Sequence, residues 1–314
     1  MRGSIMIKNY PFTVKHNISL ARLSTFAIGG PAENYIPVYS SQDLFKILNL
    51  LYKNKLLFKL FAGGSNVVFP DKGIAGFLIH LKSGLVSRKK NLIIADAGVS
   101  LTSVLTLCVK KGLSGLEKLS GIPGSVGGAV VGNAGAYGSS VSDCILKVKV
   151  WRKGKIYWIS NKDCHFQYRD SIFKHLPFFL LQVVFKLVKT DKNKLKQISE
   201  EIIKIRLLKY KPGLKCPGSF FKNVLVTDVA PEAVSNINQS VILGGKIPAG
   251  FLLTAVGARG MKIGGIEVSD FHGNLLINNA HKGTAEDVKK LALILKKKVL
   301  DKFGIHLEEE VRYV

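Results

Sequence analysis

Between Gly121 and Gly138 the chain carries seven glycines in eighteen residues and no charged side chain. Glycine averages about 7% of ordinary sequences, so the enrichment is several-fold. Only glycine takes positive φ freely and lets another group lie directly on the backbone. A flexible linker would be filled out with Ser, Lys or Glu, whereas Ile122, Pro123, Val126, Val130 and Val131 are interleaved here. The stretch from Gly112 to Ser139 therefore predicts an ordered surface lined by backbone, suited to a flat, phosphorylated ligand. A packing seam between strands is the alternative, and local sequence leaves it open.

The rest of the chain must support such a surface. At 314 residues it is long enough for two or three domains, and 47% hydrophobic residues give it a large core. The longest apolar run, Leu176 to Phe185, is about half of a membrane span, and MRGSIMIKNY lacks the pattern of a secretory signal. The expectation is a soluble, cytoplasmic protein. Cys108, Cys144, Cys164 and Cys216 are far apart and the seven histidines are scattered, so neither a disulfide frame nor a metal is implied. The formal charge of +25 is spread along the whole chain without any nucleic-acid-binding motif. That speaks against a specific nucleic-acid partner and leaves a basic field that attracts an anionic small molecule.

Periodicity supplies the elements. Leu23–Ala32 and Asn34–Val38 read as strands, and Ser41 as the cap of a helix with Leu44, Ile47, Leu48 and Leu51 on one face. Leu57–Phe61 reads as a strand ending in Gly63-Gly64-Ser65-Asn66, where free N–H groups make a nest for phosphate oxygens. Strands Phe77–Leu81 and Leu92–Ala97 precede a helix from Ser100 to Lys111 that Gly112 ends. Ile145–Trp151 and Ile156–Ile159 form a hairpin about Lys153-Gly154, and Phe178–Val188 is a further strand. Asp191–Lys209 reads as an amphipathic connector with Leu195, Ile198, Ile202, Ile205 and Leu208 on one face. The last helix runs from a Thr284 cap, boxed by Asp287, to Phe303, and Leu307–Val314 closes the chain as a strand. The composition changes at about residue 190, so the Asp191–Lys209 helix is expected to connect a first region to a second domain.

Three stretches combine reactive groups with turns. Arg169, flanked by aromatics, suits a guanidinium gripping a carboxylate; a surface turn with Asp170 is the alternative. Ser219, between Pro217-Gly218 and two phenylalanines, is either a hydroxyl in a dry pocket or a helix cap over an apolar cluster, and local sequence favours the cap. Glu308 to Glu310 would ordinarily be a solvated face, but along a strand neighbours point to opposite sides. No nucleophile elbow, P-loop or Rossmann fingerprint accompanies them.

Taken in order, STFAIGG (Ser24–Gly30), AGGSN (Ala62–Asn66), GIPGSVGG (Gly121–Gly128), NAGAYG (Asn133–Gly138), YRDS (Tyr168–Ser171), GSFFKN (Gly218–Asn223) and EVR (Glu310–Arg312) closely resemble the UDP-N-acetylenolpyruvoylglucosamine reductase (MurB) family of peptidoglycan precursor synthesis. The short span between Val188 and Arg206 is similar to the family's shorter form, without the extra tyrosine loop. The resemblance implies an α+β fold: a two-subdomain FAD-binding unit of the PCMH/vanillyl-alcohol-oxidase type, plus a C-terminal MurB substrate domain. It implies bound FAD, NADPH as co-substrate, a UDP-sugar substrate, and a monomer. FAD would lie on Gly63, Gly64, Ser65 and Asn66, on Ile122, Pro123, Gly124, Ser125, Gly127 and Gly128, and on Asn133 and Gly135. Arg169, Ser219 and Glu310 match the catalytic positions: Arg169 with protonated Glu310 stabilises the developing enolate, and Ser219 supplies a proton. Asn223 and His272 match substrate contacts, and Lys211 or Lys209 serves the diphosphate. Departures fall at Val224, where proline is usual, at Lys211, often glutamine, and at Thr254, commonly acidic. A flavin oxidase with another substrate, or a basic flavin- or nucleic-acid-binding protein without turnover, are the rival readings.

Overall fold

Why the glycine loops end up facing one another follows from two sheets that share a core. The computed structural model describes residues 12–235 and 237–314; the N-terminal segment read above for targeting signals lies outside the described residues. The first sheet has the order Lys15–Ser19, Pro31–Val38, Ile74–Leu81, Phe58–Phe61. Its last three strands are parallel, and the helix Ser41–Lys53 lies between the second and fourth in sequence. The second sheet is antiparallel throughout, in the order Lys155–Ser160, Ile145–Arg152, Phe179–Lys186, Leu92–Asp96, Val86–Lys89. One cluster of buried residues joins them: Leu44, Ile47 and Leu48 of the helix pack with Ile36 and Ile79 of the first sheet and Ile93 and Val148 of the second. Parallel strands covered by a helix and a second sheet have both faces dry, which is why their sequences run apolar rather than alternating.

A second cluster forms the C-terminal part, around the helix Ala285–Phe303. Val288, Leu291, Leu295 and Val299 are its buried side, as the spacing predicts. The Thr284 hydroxyl accepts from the Asp287 N–H and the Asp287 carboxylate from the Thr284 N–H, so the capping box closes. The two N–H groups left over at this helix start are taken by Asp71 from the far side of the first sheet, through Ala285 N–H at 2.8 Å and Glu286 N–H at 3.2 Å. A helix leaves its first donors unpaired, and here a carboxylate more than two hundred positions away accepts from them.

Several elements differ from their sequence reading. Ser24–Gly30 is not a strand: a 3-10 turn at Leu20–Leu23 leads into irregular chain with Ala27 at φ 56° and Gly29 at φ 127°. Phe26 and Ile28 are buried in the C-terminal cluster rather than in a sheet, and Asn278 donates to the carbonyls of Phe26 and Ala27. Apolar alternation was satisfied by insertion into a neighbouring core. The first helix is capped by Ser40, not Ser41, because it is the Ser40 hydroxyl that accepts from the Asp43 N–H. Ser100 stands at the cap of Leu101–Lys111 without a side-chain capping bond, and Gly112 ends that helix at φ 64°. The hairpin turn at Lys153-Gly154 has both residues at positive φ, the arrangement that matches strand twist. On Lys192–Lys209 only Leu195 and Ile202 are buried, while Leu208 is 81% exposed. The reason is that this helix turns a second side, Ile203, Arg206 and Leu207, toward a cavity. Of Leu307–Val314 only Arg312–Tyr313 is a strand, paired parallel to Val67–Val68.

Removing the Asp71 carboxylate leaves two helix N–H groups without their acceptor. Asp71→Ala is expected to lower stability by about 1 kcal/mol, the usual worth of a helix cap, read as a lower urea midpoint with an unchanged slope.

Candidate functional site

The nest forms where the strand Phe58–Phe61 runs out. Gly64 sits at φ 61°, and a Cβ there would come within 2.2 Å of the Leu23 carbonyl oxygen. Its own carbonyl accepts from Thr25 N–H at 3.0 Å, which fixes the turn. Among the described residues, the N–H groups of Gly63, Gly64 and Ser65 donate to no protein acceptor. Unpaired donors in succession at a turn suit an anion.

Against this turn lies the glycine stretch. A Cβ on Gly63 would stand 2.6 Å from Gly124 Cα, and the Ser65 hydroxyl donates to the Pro123 carbonyl at 3.3 Å. Ser125 caps the short helix Val126–Val131, accepting from Gly128 N–H at 3.1 Å. Gly127 presses on Ala97, its N–H on the Ala97 carbonyl. The surface reading and the seam reading therefore both hold, for different glycines. Gly63, Gly127 and Gly135 permit close packing, while Gly128 has room beside it.

That space is a cavity of about 930 Å³, toward the upper end of small-molecule sites. Gly63 to Asn66, Ile122 to Ser125, Gly127, Gly128 and Gly135 line it, with Arg169, Ser219, Glu310 and Lys211. Asn133, Asn223 and His272 do not. Asn133 instead ties the loop to the arginine segment: its amide donates to the Gln167 carbonyl at 2.9 Å and its carbonyl oxygen accepts from Ser142 N–H. Asn223 accepts from Ala249 N–H and donates its own N–H to the Tyr168 hydroxyl. His272 accepts from Asn274 N–H at Nδ1, and burial, with Lys209 nearby, pushes its pKa down to about 4.

Arg169 holds an uncommon backbone, φ 57°. A reciprocal Gln167–Asp170 pair of backbone bonds makes the turn, and the Lys174 ammonium donates to the Arg169 carbonyl at 2.6 Å. Asp170 takes His175 as its partner at 2.8 Å, so the surface Arg169–Asp170 pair does not form. The guanidinium reaches Glu310 instead, Nε to Oε1 2.9 Å, with both side chains about four-fifths buried. The Nε–H does not aim along that line and stays without an acceptor. The contact is thus a coulombic pair whose donors remain free to turn toward a third group. Tyr168 stacks beneath the guanidinium, and burial raises its phenol pKa, so it stays neutral.

Ser219 follows Gly218 at φ 87° and begins no helix. Its hydroxyl lies 2.9 Å from that of Tyr210, inside the cavity. Phe220 and Phe221 are fully buried and packed edge to face, and the Asn274 side chain brackets the Phe221 backbone from both sides, at 2.8 and 2.9 Å. The acidic run divides its work. Glu308 pairs with Lys222 and Glu309 with Lys296, and Glu310 alone enters the cavity. Lys59, Lys174, Arg206 and Arg312 also line it, so cations heavily outnumber the one carboxylate. Tyr210, Lys174 and Arg206 were missed in the sequence. Lys174 follows the YRDS motif closely, but nothing local marks Tyr210 or Arg206.

The comparisons agree with this geometry from end to end. Residues 32–160 match the FAD binding domain family, and residues 211–314 match the family described as UDP-N-acetylenolpyruvoylglucosamine reductase, C-terminal domain. The chain is 35% identical to the UDP-N-acetylenolpyruvoylglucosamine reductase of Solibacter usitatus over 302 residues, 96% of each chain. It is 34% identical to that of Bacillus subtilis, over 95% of this chain and 93% of the relative. Among solved structures it superposes on the UDP-N-acetylenolpyruvylglucosamine reductase (MurB) of Thermus caldophilus with a TM-score of 0.74 at 26% identity, covering 96% of this chain and 99% of that one. The nest, the glycine loops and the Arg169, Ser219 and Glu310 side chains are thus carried on the fold of a solved UDP-N-acetylenolpyruvylglucosamine reductase, and the chain belongs to the UDP-N-acetylenolpyruvoylglucosamine reductase family.

Proposed function

We propose that this chain reduces the enolpyruvyl ether of UDP-N-acetylglucosamine to UDP-N-acetylmuramate, with FAD bound in the cavity and NADPH as reductant. The observation that carries the reading is one cavity holding both an anion nest and a carboxylate-binding, proton-donating group: Gly63 to Ser65 on one wall, Arg169, Glu310 and Ser219 on others. The residues fit the cofactor, since the unpaired N–H groups of the nest and a glycine-lined wall suit a diphosphate and a flat ring. Bound FAD supplies hydride relay between NADPH and the substrate.

The chain's own groups orient and stabilise. Arg169 is placed to take the substrate carboxylate, where negative charge develops as hydride arrives at the neighbouring carbon framework; a preorganised guanidinium in a dry cavity stabilises that charge far more than in water. Glu310 holds the guanidinium in place beside it. Ser219 gives the proton that completes reduction, and the Tyr210 hydroxyl on its Oγ offers a path for replacing it. Lys211, its ammonium over the Phe271 ring, is positioned at the cavity wall for a phosphate. We assign substrate binding in the same reading to Asn223 and His272 by way of the loops they hold.

The reading divides the chain into FAD-binding subdomains at 1–80 and 81–190 and a substrate domain at 191–314, and it carries with it a cytoplasmic, monomeric enzyme. No helix among the described residues is long and apolar enough to cross a membrane.

Two measurements test it. Under anaerobic conditions NADPH should bleach the flavin of the purified protein, and the UDP-enolpyruvyl sugar should restore the colour. In Ser219→Ala the bleaching should keep its rate while colour return slows by on the order of 10²-fold or more, the span of a lost proton donor; equal slowing of both steps contradicts the role given to Ser219. Gly64→Ala, which forces a Cβ into the Leu23 carbonyl, should yield protein with FAD binding weakened by at least about tenfold (about 1.4 kcal/mol), measured by flavin retained on ultrafiltration.

A further inference from the structure

Beneath the nest lies a buried polar pair that the proposed chemistry does not use. His80 is the last residue but one of the strand Ile74–Leu81 and is 9% exposed. Its Nδ1 is 2.7 Å from the Tyr35 hydroxyl, and Tyr35 is itself only 4% exposed. The imidazole stacks on Phe61, centroids 4.1 Å apart at 24°, and Phe61 packs edge to face on Phe69. Phe61 is also the last residue of its strand to pair with the neighbouring one, opposite His80. Immediately beyond, where the ladder of backbone bonds stops, the His80 ring faces the backbone of Ala62, which favours a proton on the ring. Ala62 and Phe61 both line the cavity; His80 and Tyr35 do not.

Two buried polar groups in an otherwise apolar cluster with Leu78 and Ile74 cost stability unless each is satisfied. Here each satisfies the other, and the arrangement has a direction. With the phenol as donor to Nδ1, the neutral ring carries its one proton on Nε2, the nitrogen left over for the chain at Ala62. Burial, with the Lys82 charge, pushes His80 down to about 4 and burial pushes Tyr35 up to about 12, so both stay neutral and the donor order holds across the physiological range.

We propose that His80, oriented by Tyr35, is a positioning residue for the cofactor: it extends the strand's grip by one residue and fixes the Ala62 peptide, from which the Gly63 to Ser65 N–H groups are aimed. The inference rests on the reading of that loop as the FAD phosphate nest. Glycine-rich peptides whose one side-chain anchor is the Ser65 hydroxyl on the Pro123 carbonyl would otherwise sample many orientations, and their donors lose affinity if they must be ordered on binding.

The test compares FAD affinity with FAD-free stability in three proteins. Tyr35→Phe/His80→Phe keeps the stacked volume and removes both buried polar side chains together, so that the half-buried Ala62 backbone is the group that loses its partner. His80→Gln keeps an N–H toward Ala62. The expected result is an unfolding midpoint without FAD close to wild type in both, FAD dissociation constant raised about tenfold in the double variant, and a rise of no more than about threefold in His80→Gln. A double variant that binds FAD as tightly as wild type, or a His80→Gln as impaired as the double variant, overturns the proposal. Should the double variant not fold, His80→Gln is compared with His80→Met, of similar length without a donor, and equal affinities for these two overturn it. If wild-type protein itself binds no FAD, the nest reading fails first and this inference with it.

Discussion

The site is held together by a few backbone bonds at the end of the chain. Lys222 N–H donates to the Glu308 carbonyl, Glu310 N–H to the Phe220 carbonyl, and Arg312 N–H to the Asn66 carbonyl. The Asn66 amide returns a bond to the Glu310 carbonyl at 3.1 Å. One extended segment therefore pairs on one side with the chain that follows Ser219 and on the other with the chain that follows the nest. Alternation along an extended segment sets Glu309 apart from Glu308 and Glu310, and of those two it is Glu310, held between the Phe220 carbonyl and the Asn66 amide, that enters the cavity while Glu308 pairs with Lys222. The cavity depends on this seam. Without it, a serine near residue 219, an arginine near 169 and glycines near 64 have no common frame.

Close approach is the second constraint, and it explains the composition. Gly63 on Gly124 and Gly127 on Ala97 are contacts of backbone on backbone or nearly so. A Cβ on Gly63 would stand 2.6 Å from Gly124 Cα and one on Gly127 3.0 Å from Ala97, so side chains there would force the facing chains apart. Such contacts also spare the walls' remaining N–H groups for a ligand. A glycine-rich surface that is apolar and uncharged then needs its charge from elsewhere, and Arg169, Lys174, Arg206, Lys211 and Arg312 reach in from other elements. Of the +25 formal charge, this inward share bears on binding, since cations facing a dry cavity act at lower effective dielectric than the exposed lysines do.

How much of this could be read in the sequence depended on whether the deciding interaction was local. The last helix was fully legible, because Thr284, Asp287 and the apolar spacing settle it within one turn of one another. The turn at Lys153-Gly154 and the stop at Gly112 were legible for the same reason. Ser24–Gly30 was misread because its apolar residues answer to a core formed by residues after 220, and an alternating pattern does not say which core receives it. At Lys192–Lys209 a helix with two occupied sides looked like one with a single stripe. In the site, the motif residues Arg169, Ser219 and Glu310 stood out as resemblances, yet their local readings were bland. Only the pairing of distant segments turns the arginine from Asp170 to Glu310 and gives the serine its tyrosine.

Tyr35 and His80 show the same limit from the other side. Neither belongs to a motif, and each reads as one more residue of a parallel strand. Their meaning arises from register: Phe61 opposite His80 puts an imidazole at the point where sheet hydrogen bonding ends and the nest begins. A loop that must present bare N–H groups cannot also use them to hold itself in place. Its rigidity has to come from the carbonyl side, or from the residue just before it. In this chain that support comes from below, through a neutral histidine whose orientation is set by a phenol, and from above, through the Asn66–Glu310 bond. The nest is thereby fixed at both ends while its donors remain free, which is the condition for binding an anion without first paying to order the loop.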